Sequence, residues 1–143
     1  EPDCGVVTAR VRDRLAEWGD RDPDKFVLAD SRERIGLFRN VCVKPNQEEW
    51  RQANLHLPGT FTGVRFGTMG SLGILVERSD ETGQYGTHHP AYPVAGPIDI
   101  CGAGDSCSAG ITSAMVSGLT HEQAAAFGNL VASITIQQIG VTG

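Results

Sequence analysis

The residues best suited to chemistry in this chain form one run, Asp99-Ile100-Cys101-Gly102-Ala103-Gly104-Asp105-Ser106-Cys107-Ser108-Ala109-Gly110. It stands between a Pro-containing loop and an apolar stretch, Ile111 to Leu119, and this is the layout of a helix start able to receive an anion. The first N–H groups of a helix lack intrahelical partners, and the macrodipole places roughly half a positive charge there. Gly102 and Gly104 let the main chain curl those N–H groups toward phosphate oxygens with no side chain in between. Asp105 falls beside them. Like charges within ~4 to 6 Å oppose each other, so anion binding alone does not call for a carboxylate at this place. Phosphoryl transfer does, because an acid can orient a hydroxyl and accept its proton while N–H groups hold the migrating group. The competing reading is that Asp105 or Ser106 merely caps a helix.

Other chemistries fit less well. The chain has no Gly-x-x-x-x-Gly-Lys-Ser/Thr loop, and Gly102-Ala103-Gly104 lacks the third glycine of the dinucleotide fingerprint. Neither Ser106 nor Ser108 lies in a Gly-x-Ser-x-Gly elbow. Cys4, Cys42, Cys101 and Cys107 form no Cys-x-x-Cys pair, and His56, His88, His89 and His121 show no metal-site spacing. With 143 residues, 40% hydrophobic and 20% charged, the sequence suits one core. A single domain over residues 1–143 is expected. The net charge of -5 supplies no basic footprint for nucleic acid. No apolar run approaches the ~20 residues of a membrane span, and a soluble, cytoplasmic protein with reduced thiols is expected.

The elements that position this run follow from periodicity. Val7, Val11, Leu15 and Trp18 form a helical stripe, opened by Thr8 and closed by Gly19. Strands are expected at Lys25–Asp30 and Asn40–Lys44, the second stopped by Pro45-Asn46, then a helix over Glu48–Leu57. Val64–Thr68 and Ile74–Glu77 read as strands around a glycine turn, and Gly83–Pro93 as a further strand with loops. Helices are expected over Asp105–Ser117 and His121–Gln138, the latter with a Thr120/Gln123 capping box. Strands alternating with helices imply an α/β layered domain with a largely parallel sheet, whose ligands sit beyond the carboxyl ends of the strands.

Asp99 to Gly110 also resembles the second signature of the ribokinase-like, or PfkB, carbohydrate kinases. Three further segments agree in order: Leu28-Ala29-Asp30-Ser31-Arg32 with a strand ending in an Asp-x-Arg/Lys turn, Lys44-Pro45-Asn46-Gln47-Glu48-Glu49 with Lys-Pro-Asn-x-x-Glu, and Thr68-Met69-Gly70-Ser71-Leu72-Gly73 with Thr-x-Gly-x-x-Gly. Gly128-Asn129 through Gly143 is similar to the family's last nucleotide-side helix and loop. The resemblance implies a layered αβα ribokinase-like fold and ATP-dependent phosphoryl transfer to a hydroxyl of a sugar or sugar phosphate. It gives Asp105 the role of base and makes the N–H groups of Gly102, Ala103, Gly104 and Asp105 the anion hole. It places Thr68, Gly70 and Gly73 along ATP and Asn129 near the adenine. Asn46 and Glu49 would organise magnesium through water, and Asp99 with the Cys101 backbone would hold a monovalent cation such as potassium, closed by Ile139–Gly143.

Cys107 departs from the family's usual Phe. The family is also longer: its N-terminal sugar-binding part and lid have no counterpart in this sequence, so the chain is expected to be a catalytic C-terminal portion. A sugar or sugar phosphate is the expected partner, with a homodimer as the expected assembly. The alternatives are a nucleotide- or phosphate-binding module without activity and an inactive interaction fragment.

Overall fold

The computed structural model describes residues 5–56, 63–80 and 83–140. The first helix, α1 (Ala9–Arg21), is opened by Thr8, whose hydroxyl accepts from Val11 N–H at 3.4 Å. It does not stop at Gly19. A Cβ on Gly19 would fall on the carbonyl oxygen of Asn40, so this glycine permits close packing of the 40 turn against the helix and does not end it.

Two short strands follow, β1 (Leu28–Ala29) and β2 (Cys42–Val43), then helix α2 (Gln47–His56). Strands β3 (Gly63–Thr68), β4 (Ile74–Asp80) and β5 (Gly83–His89) precede helices α3 (Ala103–Val116) and α4 (His121–Thr135). Thr120 and Gln123 form the expected capping box on α4, but that helix ends at Thr135, short of Gln138. The expected residues Leu57 and 141–143 lie outside those described.

The sheet order is β1-β2-β3-β4-β5. The first three strands are parallel, whereas β3/β4 and β4/β5 are antiparallel. The parallel character is therefore confined to one half. Only five residues separate Thr68 from Ile74, and a parallel crossover needs a dozen or more. The tight glycine turn thus dictates an antiparallel return.

Side chains alternate across the sheet with the period of the pleat. Phe66, Ile74 and Val76, with Leu28, Cys42 and Val64 beside them, face Cys107, Ile111 and Ala114 of α3 and Ala124 and Ala125 of α4. Ala29 and Val43 turn the other way, into a second cluster with Ile35, Phe38, Val41, Leu15 of α1 and Trp50 of α2. Helices on both faces make the layered αβα arrangement that the resemblance implies. Arg65 bridges that second face: its guanidinium lies 4.2 Å from the Trp50 ring centroid and pairs with Glu77. Burial pulls Arg65 down to about 10.

Candidate active site

The parallel strands deliver their motifs to one edge. Ala29 pairs with Val43, so the next residues, Asp30 and Lys44, leave their strands side by side. Lys44 is only 4% exposed, and its Nζ donates to Asp30 Oδ2 at 2.9 Å. A lysine this deep is costly unless paired, which makes the pair obligatory for this strand end. Two residues on, Asn46 bridges Thr68 at the end of β3, and Thr68 N–H donates to Pro45 O at 2.9 Å. The Lys-Pro-Asn segment and the glycine turn are thereby held together.

Asn46 and Glu49 are already engaged with each other. Asn46 Oδ1 accepts from Glu49 N–H at 2.9 Å, and the Glu49 carboxylate accepts from Asn46 N–H through Oε2 at 2.7 Å. This is a reciprocal cap on α2. The signal was present in the sequence as Asn-x-x-Glu before a helical run, although the resemblance gave those residues only a magnesium role. Glu49 Oε1 is left over and fits the water-mediated role, because magnesium keeps several waters and takes most other ligands from phosphate. Among the described residues no three His, Cys, Asp or Glu side chains gather into a metal cage.

At the start of α3, Gly102 occupies the N-cap with φ 76°, a left-handed conformation that favours glycine, and no side chain caps the helix. This answers the competing reading of the sequence: neither Asp105 nor Ser106 is the cap. Ala103 N–H is spent on Ile100 O at 3.2 Å, which removes it from the expected anion hole, and Ser106 N–H turns back to Gly102 O at 2.9 Å. The N–H groups of Gly104 and Asp105 have no acceptor among the described residues. A Cβ on Gly104 would meet nothing within 4 Å. Asp105 is exposed in this first turn. Beneath it Cys107 is buried, which pushes its thiol up to about 11 despite the nearby Lys44 charge. It is therefore a neutral packing group.

Asp99 acts as a clamp between two loops. One carboxylate oxygen accepts from Cys101 N–H at 2.9 Å, the other from Gly140 N–H at 3.3 Å, and Asp99 N–H donates to Ile136 O at 2.8 Å. The loop before α3 and the tail after α4 are thus brought together. Thr135 Oγ1 adds a bond to Ser106 Oγ at 2.9 Å.

The glycine turn is built by Met69 N–H donating to Gly73 O at 2.8 Å, around a 3-10 turn at Gly70–Leu72. Gly73 has φ 101°, and a Cβ there would collide with the backbone of His89 to Ala91. Asn129, 7% exposed, binds this same backbone: its Nδ2 donates to His89 O at 3.0 Å and Pro90 O at 3.2 Å. Its amide nitrogen is committed to the fold, leaving Oδ1 for any contact with a base. His88, near the end of β5, bonds Leu72 O through Nε2 at 2.7 Å.

The sites expected from sequence therefore stand in three groups: Asn46, Glu49 and Thr68 at the strand ends, Asp99 to Asp105 at the helix start, and Gly70, Gly73 and Asn129 around the glycine turn. One residue absent from the expectation, Ser108, ties the start of α3 to Asp30 at the end of β1. Its Oγ lies 3.2 Å from Asp30 Oδ2 and 3.1 Å from Gly104 O.

Solved structures share this architecture. An Arabidopsis thaliana ribokinase complexed with ribose and ATP superposes with a TM-score of 0.69 at 21% identity, covering 93% of this chain and 46% of its own. A Methanocaldococcus jannaschii nucleoside kinase gives 0.72 at 21%, covering 93% and 48%. A Burkholderia thailandensis nucleoside kinase in complex with inosine gives 0.73 at 17%, covering 92% and 47%. The chain thus spans about half the length of each. No curated protein matches the sequence. The profile of the pfkB family carbohydrate kinases matches residues 38–143, a stretch that takes in the Lys-Pro-Asn segment, the glycine turn and the whole start of α3. With three of the four motifs inside that match and the fold of ribokinases around them, the chain belongs to the pfkB carbohydrate kinase family.

Proposed function

We propose that this chain is the nucleotide-side and catalytic portion of a kinase that transfers a phosphoryl group from ATP to a hydroxyl of a sugar-type acceptor: a sugar, a sugar phosphate or the ribose of a nucleoside. The observation that carries the reading is the start of α3, where a glycine cap without a side chain leaves the Gly104 and Asp105 N–H groups open beside the Asp105 carboxylate. The relatives solved with ribose and ATP and with inosine support both the donor and an acceptor containing ribose.

In this reading Asp105 orients the acceptor hydroxyl and takes its proton as the bond to phosphorus forms. The Gly104 and Asp105 N–H groups, at the positive end of α3, meet the charge on the transferring phosphoryl oxygens. Thr68, Gly70 and Gly73 flank the nucleotide, and Asn129 holds the 89–90 backbone beside the base. Glu49 and Asn46 would hold magnesium through water, and bound magnesium would neutralise the phosphate charge. Asp99 and the Cys101 backbone would keep a monovalent cation at the clamp between the two loops.

The test is calorimetric titration with ATP, magnesium and potassium. We expect saturable binding that is lost in Gly104→Leu, a change that leaves the fold unstrained because the site is open. Absence of binding by the folded protein overturns the nucleotide reading, and binding without transfer to any sugar acceptor leaves a binding module.

A further inference from the structure

The bonds through Ser108 assign a task to three residues that no motif explains together. Asp30 Oδ2 faces two donors, Lys44 Nζ at 2.9 Å and Ser108 Oγ at 3.2 Å. Ser108 stands one turn into α3, and its other neighbour is the carbonyl of Gly104 at 3.1 Å, in the turn that presents the open N–H groups. A hydroxyl has a single proton. A charged acceptor makes the stronger bond, so the ionised Asp30 holds that proton, and the ordinary back-bond to Gly104 O takes the lesser share. Lys44 is anchored beneath, its own N–H donating to Ala29 O at 2.9 Å. Cys107 beside the pair is buried and brings no competing charge.

We propose that Lys44 and Ser108 are positioning residues for phosphoryl transfer: Lys44 fixes Asp30 at the strand ends, and Ser108 ties the first turn of α3 to that fixed carboxylate. The inference rests on the kinase reading above and adds to it the device that sets the distance between the strand-end motifs and the anion-binding turn. In-line transfer tolerates little misplacement, so a hydroxyl that touches neither nucleotide nor acceptor governs the rate.

The experiment uses the intact polypeptide that carries this chain. In Ser108→Ala we expect kcat to fall about tenfold while KM for ATP and the thermal midpoint stay near those of the parent, a size typical of a small loss of alignment. Ser108→Thr, which keeps the hydroxyl, restores the rate. Because removing either charge of the Lys44–Asp30 pair leaves the other uncompensated, the partner is tested with Asp30→Ala/Lys44→Met, which removes both charges and the acceptor, and in that background Ser108→Ala adds no further loss. Parent-like kcat in Ser108→Ala overturns the inference, as does a loss that follows the thermal midpoint and is not recovered by Thr, or losses at the pair and at Ser108 that simply multiply. Should the parent polypeptide transfer no phosphoryl group, the kinase reading fails by itself. The tie is then judged by amide hydrogen exchange over residues 103–108: faster exchange in Ser108→Ala, reversed in Ser108→Thr, supports it, and unchanged exchange overturns it.

Discussion

Gly110 and Gly128 face each other where α3 crosses α4, whereas Gly104, in the first turn of α3, has open space before it. A Cβ on Gly110 would lie 3.1 Å from Gly128 Cα and from Val131 Cγ2, and one on Gly128 would lie 2.7 Å from Ile111 Cγ1. The seam needs glycine because the chain itself fills the space. At the start of the helix nothing in the described chain requires Gly104 to be small. A helix that keeps a poor helix former where the fold gives no reason for it points to something outside the chain, and a phosphate is what open N–H groups would receive. Small residues at one end of α3 are thus read as packing, at the other as a site.

That contrast can be broken by substitutions at its two ends. The largest effect is expected at Asp105: Asp105→Asn in the active polypeptide should lower kcat by at least ~10² with ATP affinity and melting temperature nearly unchanged, since general bases contribute ~10²–10⁴. Near-normal turnover would remove Asp105 from the mechanism. At the seam the expected signs are opposite. Gly128→Val should cost about 3 kcal/mol in denaturant unfolding through overpacking against Ile111 and Cys107, with loss of activity only as far as the fold is lost. A stable Gly128→Val protein would mean that the helices separate more easily than their contacts suggest.

A sharper comparison sets two caps against each other. Asn46→Ala and Thr120→Ala each remove a side-chain acceptor from a helix start and should each cost about 1 kcal/mol. Only Asn46→Ala should also weaken the response of activity to magnesium. Equal kinetic behaviour of the two variants would reduce Asn46 to its cap.

The smallest effect at neutral pH is a pH dependence carried by the core beneath α3. Burial raises Cys42 and Cys107 to about 11, against 9.0 for an unperturbed thiol. The unfolded chain then releases these protons first, so the stability they contribute is whole below pH 9 and is lost progressively as pH rises toward 11. Cys107→Ala should flatten that decline in melting temperature, although it also removes a packed sulfur. An unchanged slope would show that the thiol does not titrate differently on folding.

Much of the layout was legible because local rules fixed it. The capping box at Thr120, the helix over residues 47–56 and the strands on either side of the glycine turn follow from spacing alone. Gly19 misled because the sequence cannot state what approaches a residue: its glycine answers Asn40, distant in sequence and adjacent in space. The antiparallel half of the sheet was hidden behind the alternating helix and strand pattern, although the shortness of the glycine turn already demanded it. At the site, the start of α3 was nameable from its residue types, and the other motif residues only through the family resemblance. Their bonds were not. That Ala103 N–H is spent, that Asn46 and Glu49 cap each other, and that Asn129 serves two backbone carbonyls depend on which atoms converge.

The sequence by itself determined that a small-residue turn with an acid would open a helix and that strands and helices would alternate around it. These are consequences of local propensity and spacing, which act over a few residues. Tertiary structure alone decided that Asp30, Lys44 and Ser108, drawn from two strand ends and a helix far along the chain, share one carboxylate oxygen. The reason is physical: a buried lysine must find an anion and a strand pair must find its register. Both conditions are met only when distant parts of the chain have been folded against one another.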